Sequence, residues 1–357
     1  MQKYCLRLHM IKVLVVDDSL FMRTLVSDML NSDPEIKVID TAKDGEEAVN
    51  KILKLKPDCV TLDLAMPGWD GLTTLKHIMD QCPTPVVILS AHSKGDADIT
   101  IKCLNAGAVS FVLKPSGELS LDIETVKLKL IEEVQAASKV NVAKITLFAG
   151  KTPKRPGRKP AALNKIIIIG ASTGGPQTIE KILFSLPINF PFPIIIVQHM
   201  PTRFFTNSFA EHLGRTCNPE VRVAGDGELV RPGKIYLAPG ESHLMLSSSR
   251  ETKGFDKEVY IRLNEAKSGE LTPSIDIAMK SAVSIYDGDT LGIILSGMGR
   301  DGCAGMKAIK ASGGKTIAQD ESSLIFGMPK EVINAGYADS VLPAENIADA
   351  MMKYTGT

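Results

Sequence analysis

The stretch KIIIIGASTGGP, Lys165–Pro176, carries an apolar run into a serine set among small residues. GASTG satisfies G-x-S-x-G directly after a predicted strand and before a predicted helix, the placement of a serine nucleophile on a tight turn. A serine hydroxyl attacks an acyl carbon effectively only when a base takes its proton and a third group orients that base. His199 closes the next strong apolar run, PIIIVQHM, and Asp301 follows a third, TLGIILSGMGRD. Ser172, His199 and Asp301 can therefore meet at one sheet edge as nucleophile, base and orienting acid. Backbone N–H groups of the loop and of the helix start would face the developing oxyanion. The order along the chain differs from that of α/β-hydrolases, but such triads are defined by geometry and not by order. His243, in APGESHLML, competes for the role of base.

The same glycines admit a second reading, a turn that cradles a phosphate. A dinucleotide fingerprint needs G-x-G-x-x-G and an acidic residue at the end of the next strand. Here Ser172 replaces the middle glycine, and the next strand ends in Gln198 and His199. No Gly-Lys-Ser/Thr follows, so a Walker loop fails too.

A separate polar group stands in the first half. Asp17 and Asp18 end one apolar run, Asp63 another, Ser90 a third and Lys114 a fourth. Ligands of open α/β sheets bind outside the carboxyl ends of the strands. Three carboxylates gathered there repel one another, and a hard divalent cation such as Mg²⁺ would compensate them and recruit phosphate oxygens. Lys114 and Ser90 would hold the remaining oxygens. A single strand-end Asp often only caps the following helix; that reading explains the whole set poorly.

The elements that must position these residues alternate. IKVLVVDD, IKVID, DCVTLD, PVVILS and VSFVLK read as strands, separated by helical patterns. The first helix has Ser19 as its N-cap and stops before Pro34, and the last covers about Asp122 to Gln135. Strict alternation implies a parallel, doubly wound sheet. The pattern fails from about Ser138 to Asn164, where GKTPKRPGRKP is basic and rich in Pro and Gly, as a linker is. A second α/β unit follows. Its strands are KIIIIG, PIIIVQH, KIYLAP, HLMLS, VYIRL and TLGIILS. Its helices lie near Gln177–Phe184, Phe204–Leu213, Ser274–Ile285 and Gly302–Ala311. The expected bounds are 10–137, a linker at 138–163, and 164–357.

With 357 residues, 41 basic and 41 acidic side chains, the chain carries no net charge that would draw it to nucleic acid or to an anionic membrane. Its apolar runs are too short to span a bilayer, and MQKYCLRLHM lacks the apolar core of a signal peptide. Six cysteines without CxxC spacing read as reduced thiols, so the chain is expected to be cytoplasmic.

Two resemblances organise these observations. VVDDS, TLDLAMPGWDGL, VVILSA and FVLKPS resemble a response-regulator receiver domain over about Met10 to Gln135, which implies a flavodoxin-like fold with five parallel strands. The resemblance implies that Asp63 accepts a phosphoryl group from a chemotaxis histidine kinase, and that Asp17, Asp18 and Asp63 bind Mg²⁺ with a backbone carbonyl near Ala65. It implies that Ser90, Lys114 and Phe111 sense the phosphoryl group, and that the Lys114–Pro115 bond is cis. IGASTGGP, VQHMP, IYLAPG, SGMGRDG and TIAQDE resemble the chemotaxis methylesterases, the CheB family, over about Lys165 to Tyr354. This second resemblance implies a C-terminal α/β domain with a mostly parallel sheet. It implies Ser172, His199 and Asp301 as the triad and Thr173 and Met298 in the oxyanion region; Arg300 stands where many members carry Asn.

Together the resemblances imply a phosphorylation-activated protein-glutamate methylesterase of a two-component system. It would hydrolyse γ-glutamyl methyl esters, and deamidate glutamines, on the cytoplasmic domains of chemoreceptors. Apart from Mg²⁺ in the receiver no cofactor is implied, and the chain is expected to act as a monomer without inserting into membrane. A receiver joined to a DNA-binding domain is disfavoured, since the C-terminal half shows no helix-turn-helix signal.

Overall fold

The structure, a computed structural model, describes residues 10–115, 123–142, 165–188, 190–217, 219–248, 258–266 and 270–355. The chain separates into two compact units that divide between residues 147 and 148. Residues 143–163 of the expected linker lie outside the described residues.

The first unit alternates β1 (Ile11–Val16), α1 (Leu20–Asn31), β2 (Ile36–Ala42), α2 (Gly45–Leu55), β3 (Cys59–Asp63), α3 (Gly71–Gln81), β4 (Val86–Ser90), α4 (Lys94–Asn105), β5 (Ser110–Leu113) and α5 (Ile123–Ala137). The strands pair in the order β2-β1-β3-β4-β5, and every pairing is parallel. β3 and β4 are buried along their whole length, as a sheet covered by helices on both faces requires. Side-chain caps start the helices: Ser19 Oγ accepts from Met22 N (3.4 Å), and Asp70 Oδ1 accepts from Thr73 N (2.7 Å). Strand order reverses about β1, which opens a crevice at the carboxyl ends of β1 and β3. The Lys114–Pro115 bond is not cis; the cis bond among the described residues is Thr272–Pro273. The trans form is the intrinsically preferred one for an X–Pro bond, by about 0.5–1 kcal/mol.

The second unit runs β6 (Ile166–Ala171), α6 (Gly175–Phe184), β7 (Ile194–Gln198), α7 (Arg203–Thr216), β8 (Glu220–Val223), β9 (Lys234–Leu237), β10 (Ser242–Ser248), β11 (Val259–Glu265), α8 (Ile275–Tyr286), β12 (Thr290–Ile294), α9 (Cys303–Ala311), β13 (Lys315–Gln319), α10 (Met328–Asn334), β14 (Ser340–Leu342) and α11 (Ala344–Thr355). Seven strands form a parallel sheet in the order β14-β13-β12-β6-β7-β9-β8. HLMLS and VYIRL form an antiparallel hairpin, β10–β11, outside that sheet. The four isoleucines of β6 are fully buried, and such a side chain contributes about 1.5–3 kcal/mol on leaving water. One core joins Ile168 of β6, Met279 of α8, Ile294 of β12 and Met306 of α9, so α8 packs where β6 and β12 meet. The chain leaves β6 first for β7 and returns to its other side at β12. The carboxyl end of β6 is therefore the switch point of this sheet.

Candidate functional site

Ser172 immediately follows β6 and is buried. Its N–H donates to Ser296 O beyond β12 (3.0 Å), and its carbonyl accepts from Gly175 N (2.8 Å) and from Gln198 Nε2 on β7 (2.9 Å). The turn is thus tied to both neighbouring strands. Gly174 takes φ +73°, and a Cβ there would stand 2.7 Å from Ser296 Oγ and 2.8 Å from Leu324 Cβ, so the position accepts only glycine. Ser296 Oγ donates to Thr173 O (2.7 Å) and accepts from Ile325 N (2.9 Å), while Ser296 N donates to Gln319 Oε1 (2.9 Å).

His199 N donates to Ala171 O (3.0 Å), which sets His199 beside the residue before Ser172. Its Nε2 lies 3.0 Å from Asp301 Oδ2. The Asp301 carboxylate rests on the start of α8: Oδ2 accepts from Ile275 N (2.7 Å), and Oδ1 from Asp276 N (3.0 Å), Ser274 Oγ (3.2 Å) and Gly302 N (3.0 Å). Burial pushes the Asp301 carboxyl up, but the hydrogen bonds from His199, Ile275 and Asp276 outweigh it and hold the group below the usual carboxylate value. Among the described residues Ser172 Oγ makes no hydrogen bond to His199. The pair that the sequence leads one to expect is brought to neighbouring strand ends but not closed, and such catalytic contacts often tighten only around substrate.

Thr173 is buried at the start of the turn into α6. A Cβ on Gly297 would come 2.8 Å from Ser172 Cβ and 2.3 Å from Met328 Sδ, so only glycine lets the 297–298 backbone run against the serine. The Met298 N–H has no acceptor among the described residues. His243 does not fit the role of competing base, because both of its ring nitrogens are engaged elsewhere: Nε2 with Glu270 Oε2 (3.2 Å), and Nδ1 accepting from Ser274 N (3.2 Å). A cavity of about 830 Å³ adjoins Asp301, lined also by His243, Glu270, Arg300 and Lys307 but not by Ser172 or His199. Gln198, Ser274 and Ser296 also support the site: Gln198 and Ser296 lie within VQHMP and SGMGRDG, whereas the sequence signal for Ser274 was only a serine at a helix start.

In the first unit, carboxylate oxygens of Asp17, Asp18 and Asp63 lie within 4.8 Å of one another. Asp17 and Asp63 are buried, whereas Asp18 is exposed. Lys114 Nζ bridges Asp17 Oδ2 (2.7 Å) and Asp63 Oδ1 (2.8 Å). Burial raises the Asp17 carboxyl; the Lys114 ammonium lowers it and the Asp63 charge raises it, leaving the group above its usual value. Burial depresses Lys114, but its bonds to Asp17 and Asp63 carry it above the ordinary lysine value. Ser90 Oγ accepts from Thr100 Oγ1 of α4 (2.9 Å), and Phe111 is half-buried on β5. The all-oxygen donor set, held by fixed strand ends and partly open at Asp18, fits a small hard dication.

Residues 167–351 match the CheB methylesterase family, and residues 13–124 match the response regulator receiver domain. A protein-glutamate methylesterase/protein-glutamine glutaminase of Thermotoga maritima is 43% identical over 347 residues, which covers 97% of this chain and 98% of that protein. A protein of the same name from Halalkalibacterium halodurans is 42% identical over 347 residues, covering 96% and 98%. The crystal structure of the Thermotoga maritima CheB methylesterase catalytic domain superposes with a TM-score of 0.50 at 43% identity, covering 53% of this chain and 97% of that one.

Proposed function

Because this chain belongs to the CheB methylesterase family and carries a receiver domain ahead of the catalytic one, we propose that Ser172, His199 and Asp301 carry its hydrolytic chemistry. The chain is a protein-glutamate methylesterase and protein-glutamine glutaminase, regulated by phosphorylation in chemotaxis. The observation that supports the triad most is the 3.0 Å bond between His199 and Asp301, made where the ends of β6, β7 and β12 adjoin.

The Asp301 carboxylate accepts a hydrogen bond from His199 Nε2–H and stays ionised, which leaves Nδ1 as the base. Nδ1 takes the Ser172 hydroxyl proton as Oγ bonds to the γ-carbonyl carbon of the glutamyl ester. The N–H groups of Thr173 and Met298 hold the oxyanion. Collapse breaks the bond to the methoxy oxygen, which takes the proton back from His199 and departs as methanol. His199 then deprotonates water, which attacks the acyl-serine and returns glutamate and free Ser172. A glutamine amide follows the same course and releases ammonia.

In the receiver, Asp63 is the phosphoacceptor, supplied by a chemotaxis histidine kinase. Asp17, Asp18 and Asp63 would hold Mg²⁺, with the backbone near Ala65. The ion would draw the oxygens of the incoming phosphoryl group toward Asp63 and offset their charge. Lys114, Ser90 and Phe111 would register the modified state. The substrates are cytoplasmic domains of chemoreceptors, and the reading places the chain in the cytoplasm, with a receiver at 10–137, a linker at 138–163 and a catalytic domain at 164–357. No helix among the described residues is long and apolar enough to cross a membrane.

The test is methanol release from methylated receptor membranes, with and without a small phosphodonor. Wild type should release methanol, faster with phosphodonor, and Ser172→Ala should release almost none. Undiminished release by Ser172→Ala would overturn the assignment of the nucleophile.

A further inference from the structure

We propose that His243 is a positioning residue for the hydrolysis: through Ser274 it fixes the start of α8, and with it the carboxylate that orients His199. The proposal rests on the triad reading above.

The β10–β11 hairpin is not hydrogen-bonded into the seven-stranded sheet, so sheet pairing does not dictate what it presents to the active site. It nevertheless presents a buried histidine. The two ring contacts of His243 define its tautomer. Glu270, as a carboxylate, can only accept, so the proton sits on Nε2 (3.2 Å). A backbone N–H can only donate, so Nδ1 is bare toward Ser274 N (3.2 Å). One tautomer satisfies both partners and leaves no ring nitrogen for base catalysis.

Ser274 spreads that constraint. It caps α8 by accepting from Ile277 N (3.4 Å), and its hydroxyl donates to Asp301 Oδ1 (3.2 Å). The two residues after it give their N–H groups to Asp301 at 2.7 and 3.0 Å. Three hydrogen bonds to the orienting carboxylate thus issue from residues 274–276, and the His243 ring holds the first of these residues by its backbone. A connected path runs from Glu270 through His243, Ser274 and Asp301 to His199. Without an acceptor at the Nδ1 position the Ser274 N–H loses its partner beside an open cavity, and the helix start is free to shift.

The two halves of the imidazole can be mimicked separately. The Oδ1 of His243→Asn stands near the Nδ1 position and keeps the acceptor for Ser274; the longer amide of His243→Gln reaches toward Glu270 and gives none at Nδ1. Both are made in the full chain and assayed for methanol release, with thermal melts to count folded protein. His243→Asn should keep kcat within about threefold, and His243→Gln should lose about 10- to 100-fold in kcat with KM within about twofold, the size of a small misplacement of a catalytic group. The low-field proton resonance of the His199–Asp301 bond should persist in the Asn variant and move in the Gln variant. Equal kcat in the two variants, or a wild-type kcat in His243→Gln, would overturn the proposal; if His243→Asn does not fold, His243→Gln alone decides. Wild-type turnover that survives Ser172→Ala would remove the triad reading and this proposal with it.

Discussion

His199 offers Nε2, not Nδ1, to Asp301: the Nε2–Oδ2 distance is 3.0 Å, and the same oxygen also accepts from Ile275 N at 2.7 Å. The carboxylate has two oxygens for its several donors, and an amide has only one acceptor. Asp301→Asn therefore either drops a hydrogen bond from α8 or turns an N–H toward His199, which forces the ring proton onto Nδ1 where the base is needed. Steady-state methanol release should fall about 10⁴-fold in kcat with KM little changed, as in other serine triads. A loss under tenfold would mean that Asp301 does not set the tautomer.

The same carboxylate gives a pH signature. Its pKa is lowered in the folded chain, because hydrogen bonds from His199, Ile275 and Asp276 outweigh the opposing effect of burial. The unfolded chain then takes up the proton first, so this contribution to stability is full above the unfolded value and lost as pH falls through the folded one. The difference in unfolding free energy between wild type and Asp301→Asn should narrow below about pH 4. A difference that widens on acidification would show the opposite shift.

Much of this was legible in the chain because both sites sit at strand ends. Apolar runs stop where Asp17, Asp63, Ser90, Ser172 and His199 begin, and parallel alternation brings such ends to one edge. What is missing from the sequence pattern lacks length or contrast. β14 is three residues long, and β13 buries Ile317 and Ala318 between polar neighbours, too short a run to stand out. The four residues of β8 are all partly or fully exposed, and α10 is less than two full turns. α11 is different: Ile347, Ala348 and Met351 lie on one buried face and carried a helical signal. The bonds of Asp301 to residues 274–276 join segments far apart in sequence, and no spacing rule announces them.

Lys114 links two buried carboxylates, and its removal should reveal the cation site. Lys114→Ala leaves Asp17 and Asp63 facing each other without the ammonium at 2.7 and 2.8 Å. Breaking such a buried arrangement costs about 3 kcal/mol. Urea unfolding in chelator should show that loss, and millimolar Mg²⁺ should recover part of it by binding only the folded chain. An unfolding free energy of Lys114→Ala that is the same in chelator and in Mg²⁺ would argue that the three carboxylates do not hold the ion.

Phosphorylation should act through Asp63 and be read by its neighbours. A phosphoryl group there adds negative charge beside Lys114, whose ammonium is already shared between Asp17 and Asp63. It also places acceptor oxygens near the end of β4, where among the described residues the Ser90 hydroxyl donates in a long bond to Ala91 O (3.4 Å) and accepts from Thr100 on α4 (2.9 Å). Turning Ser90 toward the new oxygens would break the Thr100 contact, and α4 would then be biased by the change at Asp63. A coupling free energy of about 1–3 kcal/mol, usual for such switches, corresponds to a rise of roughly 5- to 150-fold in methanol release on adding a small phosphodonor and Mg²⁺. Asp63→Asn should take up no label and show no rise, while keeping the basal rate of the unphosphorylated wild type. Ser90→Ala should still take up label but give a smaller rise, because the group is bound and not reported. An Asp63→Asn chain that responds fully would move the phosphoacceptor elsewhere. A Ser90→Ala chain with the full rise would take Ser90 and Thr100 out of the signal.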